Sequence, residues 1–189
     1  MTSLPVNFQG ELDAMAAGAG KTLGFAQSVA LLGNLFEDDV IVNYIKTGRA
    51  SQLPGFLTKL QTALQAPTAS GATYSLAGGG TPTFAFDNQL LLKLPESSGN
   101  AKPDIVGYVK NSLGNADPNS GIWGEIKVDV NSPWRSPQTE LKNDAVGTGN
   151  GITVNSKNSP NFAQGSTIQL LHVIQISVDD NGLLVQMIK

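Results

Sequence analysis

The sequence predicts an α+β fold: a helical N-terminal third, residues 1–66, packs on an antiparallel β-sheet or β-sandwich formed by residues 83–189 and ending in a C-terminal β-hairpin. Three observations predict it. Apolar residues recur at spacings of three and four before residue 66 and at every second position after residue 83. Between the two regimes lies a Gly-rich linker, residues 67–82, reading PTASGATYSLAGGGTP, which stops a helix and marks the clearest break in the chain. Finally, TIQLLHVIQISV places Ile168, Leu170, His172, Ile174, Ile176 and Val178 on one strand face, and Asn181-Gly182 then LLVQMI complete a hairpin. A two-residue Asn181-Gly182 turn pairs Val178 with Val185 and Ile176 with Met187. Helices and sheet are expected to form one compact unit, because a hairpin alone cannot bury its apolar face.

Each element follows in order. Residues 9–36 carry Leu12, Met15, Ala16, Ala19 and Leu23 on a helical stripe, and Gly18, Gly20, Gly24 and Gly33 divide it into two short helices. Residues 22–36, TLGFAQSVALLGNLF, form a fifteen-residue run without charge. A membrane span needs about 20 apolar residues, so this run is read as a core helix, with insertion into lipid as the alternative. Val40, Ile41, Val42 and Ile45 favour a strand. Ser51 resembles a helix N-cap before LPGFLTKLQTALQ, whose Leu53, Phe56, Leu57, Leu60 and Leu64 share a stripe, and Pro54 fits the first turn.

Beyond the linker, Phe84 and Phe86 alternate, as do Leu90, Leu92 and Leu94, and IVGYVK is a further strand. IWGEIKVDV directs Ile122, Ile126, Val128 and Val130 to one face and Trp123, Glu125, Lys127 and Asp129 to the other. Residues 131–166 are rich in Asn, Ser, Gly, Thr and Pro and read as loop with one short ITV strand. A loop of that length is usually functional.

Composition narrows the function. Charged residues are 14% of the chain, well below the roughly 25% of ordinary soluble domains, and neutral polar residues fill the difference. Such surfaces are easier to desolvate against a partner. A net charge of −3 gives phosphate backbones no clustered cations, so nucleic acid is not an expected partner. With no cysteine there is no disulfide, thiolate metal site or cysteine nucleophile. The opening MTSLPVNFQGELD lacks the basic and apolar segments of a secretory signal, and none of the fifteen asparagines begins an Asn-X-Ser/Thr acceptor. The expectation is a cytoplasmic protein or one exported by a route without a signal.

The chemical motifs are weak. Gly18-Ala19-Gly20-Lys21-Thr22 is a fragment of a phosphate-binding loop, but Met15 stands where that loop needs glycine. His172 is the lone histidine and sits among core positions, where a hydrogen bond to backbone or hydroxyl satisfies it. Asn115, Asp117 and Asn119 alternate as at the start of a calcium loop, yet Ser120 replaces the required glycine, so a turn is the simpler reading. Glu125, Asp129, Glu140 and Asp144 could supply carboxylate pairs without specificity. No cofactor is implied. The best binding candidates are Trp123, on the charged face of its strand, with Trp134 and Arg135 nearby, since exposed tryptophan beside polar groups suits sugar faces and protein hot spots.

These readings favour a non-catalytic protein working through surface contact, either self-assembling or binding a ligand such as a glycan. The alternatives are a membrane-active protein using residues 22–36 and a hydrolase centred on His172.

Overall fold

The computed structural model describes residues 56–76, 80–94, 99–127, 133–179 and 182–189. Among them the chain is mostly β-sheet, with two short helices, α1 (Phe56–Gln65) and α2 (Ser136–Asp144). This overturns the expected α+β division. The two helices and the strand expected within residues 9–50 lie outside the described residues, and so does the uncharged run at 22–36. What remains of the helical third is α1, whose Phe56, Leu60, Ala63 and Leu64 are buried at helical spacing. Pro67 follows one residue after Ala66, whose N–H still bonds to Thr62 O at 3.0 Å, and ends the helix.

The sheet is not purely antiparallel either. Its five strands are β1 (Phe84–Asn88), β4 (Ile105–Val109), β5 (Gly121–Ile126), β8 (Leu170–Asp179) and β9 (Gly182–Met187), side by side in that order. Neighbours run antiparallel except β5 and β8, which are parallel. Parallel strands need a long crossover. Here it carries α2, β6 (Ile152–Thr153) and β7 (Thr167–Ile168), so the 131–166 segment expected to be mostly loop holds a helix as well as the short strand expected at Ile152. β2 (Leu92–Lys93) and β3 (Asn100–Ala101) form a further two-stranded sheet, and a Leu92–Val154 bridge joins it to β6.

Both faces of the central strands are covered. On one, α1 packs its Phe56, Leu60 and Leu64 against Ile105, Ile122, Ile174 and Ile176. On the other, Trp123, Tyr108, Val173 and Leu170 meet Leu141 of α2 together with Leu92, Ile152 and Ile168 from the small sheets. The alternation of β5 therefore holds, but its polar face is buried too. In β8 a register shift opposite Gly121 and Ile122 leaves Leu171 out of the pairing. As a result Ile168 and Leu170 join the second core, while Ile174 and Ile176 belong to the first. The hairpin also differs by two residues from expectation: Ile176 pairs with Val185 and Asp179 with Gly182.

Candidate functional site

The sequence-derived site residues fall into separate surroundings. Trp123 is fully buried, not exposed on a charged face, because α2 and the segment before it cover that side of β5. The Trp134 ring meets it edge-on at 5.3 Å, so the structure does bring the two tryptophans together. Lys142 Nζ lies 4.6 Å and Lys127 Nζ 5.4 Å from the centre of the Trp134 ring. Arg135 is exposed at the start of α2, where its N–H donates to Gln138 Oε1 at 3.2 Å.

Below the tryptophans lies a buried polar knot. Glu125, only 1% exposed, accepts from Trp123 Nε1 at 3.0 Å, Lys127 Nζ at 2.8 Å and Gln138 Nε2 at 2.6 Å. Asp104 is also buried, and its Oδ2 accepts from Ile126 N at 2.7 Å. Desolvation, then the Asp104 charge, push Glu125 up to about 8, against the opposing pull of Lys127. Burial likewise raises Asp104.

His172 is buried with Nδ1 at 3.0 Å from Lys189 O and Nε2 at 3.2 Å from Ala66 O. Both ring nitrogens thus face backbone oxygens, which joins the end of α1 to the C-terminal residue. In the turn near Asn115, Asp117 and Asn119, one Asp117 oxygen accepts from Asn119 N at 2.9 Å and the other from Tyr74 Oη at 2.7 Å. Burial and that bond to Asp117 push the Tyr74 hydroxyl up to about 12. Among the described residues no group of three or more histidine and carboxylate side chains could hold a metal ion.

A groove of about 540 Å³ is the feature that sequence reasoning missed. It runs between the end of β1 with the following Gln89–Leu91 and the loop Asn155–Gln164, and neither tryptophan, Arg135 nor His172 lines it. The two walls are fastened together. Leu91 N donates to Ser156 Oγ at 2.7 Å and Asn155 N to Leu91 O at 2.8 Å. Asp87, 1% exposed, accepts from Ser159 Oγ at 2.9 Å and Asn161 Nδ2 at 3.0 Å. Burial raises the Asp87 carboxyl, and these hydrogen bonds oppose the shift. Ser159 Oγ in turn accepts from Phe162 N at 3.0 Å, and the Phe162 ring meets Tyr108 edge-on at 4.7 Å.

Amide and hydroxyl side chains, Asn88, Gln89, Asn155, Asn158, Gln164, Ser156 and Ser159, share the groove lining with apolar Leu90, Leu91 and Pro160 and with charged Lys157 and buried Asp87. Amides carry donors and acceptors at once, so such a surface suits a ligand rich in hydroxyls or amides. Its only early signal was the length and the Asn and Ser content of the 131–166 segment. Comparison with protein-family models, curated proteins and solved structures found no match to this chain. Function is therefore argued from the site itself.

Proposed function

We propose that this chain is a non-catalytic binding protein that holds a neutral, hydroxyl-rich ligand, with a glycan the leading class, in the groove between Asp87–Leu91 and Asn155–Gln164. One observation carries the reading: amide and hydroxyl side chains line a groove whose walls are hydrogen-bonded to each other and anchored to the core. Preorganised polar groups lose little entropy on binding, which favours recognition of a neutral but hydroxyl-rich ligand. The low charge density of the chain points the same way. A panel of neutral oligosaccharides tests it, with the Asn88→Ala, Asn158→Ala double variant as the comparison. Binding by the native chain and a loss of about tenfold in the variant, ~1.4 kcal/mol, is expected. Equal affinity of the two proteins would place the ligand elsewhere.

A second reading, self-association, draws on the sheet edge. Among the described residues β9 pairs only with β8, and Met187 and Ile188 beside that edge are 44% and 41% exposed. Sedimentation velocity across a wide concentration range decides it: a heavier discrete species supports association, and an unchanging monomer removes it. The hydrolase reading gains no support, since both nitrogens of His172 face backbone oxygens away from the groove. For the membrane-active reading, no helix among the described residues is long and apolar enough to cross a membrane.

A further inference from the structure

We infer that His172 is a proton-operated latch: the doubly protonated ring ties Lys189, just beyond β9, to the end of α1, and on losing one proton it lets go of Lys189. The latch goes beyond the groove reading and does not depend on it. His172 is 3% exposed, and its ring nitrogens meet Lys189 O at 3.0 Å and Ala66 O at 3.2 Å. A backbone oxygen accepts and does not donate, so each contact needs a hydrogen on the nitrogen. A neutral imidazole carries one such hydrogen and an imidazolium carries two. Both bonds are therefore made only by the charged ring. Its position suits that charge. α1 spans ten residues and Ala66 follows it directly, with its N–H still bonded to Thr62 O at 3.0 Å. The ring thus sits at a helix C-terminus, where the carbonyl dipoles favour a cation.

The neighbouring charges are engaged elsewhere. α1 contributes Lys59, which is exposed, and β5 contributes Glu125, bonded to Lys127, Trp123 and Gln138. On β8 itself the other charged residue, Asp179, stands at the far end of the strand. Lys189 directs its ammonium to Lys142 O at 2.7 Å and Asn143 O at 2.9 Å, within reach of the Asp144 charge. Among the described residues no carboxylate pairs with the ring. When the ring loses a proton, the two oxygens compete for the hydrogen that remains. Lys189 O already accepts from Val173 N at 2.9 Å, whereas among the described residues Ala66 O has no other donor. The hydrogen therefore stays on Nε2, and Nδ1 turns a lone pair on Lys189 O. Ile188 N and Lys189 N both reach Val173 O, at 2.8 and 3.4 Å, and these bonds loosen as pH rises. The latch thus acts where the sheet edge exposes Met187 and Ile188.

The test needs no ligand. Because the chain has one histidine, nitrogen NMR of the full chain reads its ring without ambiguity. Between about pH 5 and about pH 8 the ring is expected to pass from two N–H groups to one, on Nε2, and the Lys189 carbonyl carbon to shift with the same midpoint. Over that range the Ile188 amide is expected to lose about tenfold in exchange protection relative to the amides of β5, the size of one hydrogen bond to a charged group. His172→Gln, or His172→Asn if the first variant does not fold, keeps Asp104 and Glu125 and is expected to abolish the change at Ile188. A ring that holds one form across the range, a remaining hydrogen on Nδ1, or a titration that leaves Lys189 and Ile188 unmoved overturns the inference. So does a variant that keeps the native pH dependence at Ile188.

Discussion

Burial beside Asp104 turns the charge of Glu125 against the folded state. Its carboxyl titrates near 4.5 when exposed and at about 8 in the fold. For a group raised in this way, the stabilising contribution is complete below about 4.5 and is lost as pH rises through about 8. The native protein is therefore expected to lose stability between those values, and the raised Asp104 adds to the slope in the same direction. Glu125→Gln removes its share of the slope. Because an amide offers one acceptor oxygen in place of two, the variant is expected to start about 1–3 kcal/mol less stable at low pH. It then approaches or overtakes the native protein at high pH. Denaturant midpoints at several pH values would show this; parallel curves for the two proteins would refute it.

At the scale of elements, β5 depends on two glycines that let neighbouring segments of the chain come close. A Cβ on Gly124 would stand 2.6 Å from Ile105 Cγ2, and one on Gly121 would strike the backbone oxygen of Gln169. Gly124→Ala is expected to cost about 1–3 kcal/mol, partly recovered by Ile105→Val, because a side chain can be shortened. Gly121→Ala is expected to cost more and to resist any side-chain rescue, since the obstacle is main chain. Chemical denaturation of the three variants checks the ranking.

The same elements show how far the sequence could be read. The alternation of β5 was legible, and so was the burial of the α1 stripe. The burial of Trp123 and Glu125 was not, because it depends on α2, and α2 contributes a single buried side chain, Leu141, to the core. A helix so polar leaves no 3.6-residue signal. The β8–β9 pairing slipped by two residues for a related reason. A period of two cannot distinguish registers that differ by two, so the Asn181-Gly182 signal alone chose between them. His172 lay among apolar alternation partners and is a core histidine whose ring nitrogens face two backbone oxygens, one of which accepts its N–H in a given tautomer.

Over the whole molecule, the parallel pairing of β5 with β8 forces the chain to cross the sheet, and that crossover delivers the Asn155–Gln164 loop to the end of β1. No local pattern announces such a meeting. Asp87 and Ser159, like Asn161 and Phe86, are more than seventy residues apart in the chain and become a wall and its anchor only through topology. The central claim is that this wall binds a ligand. Backbone amide chemical-shift mapping of the labelled chain against a panel of neutral oligosaccharides measures it most directly. Saturable shifts concentrated at residues 88–91 and 155–164 are expected; no saturable shift with any member of the panel, or shifts gathered instead around Trp134 and Arg135, would contradict it.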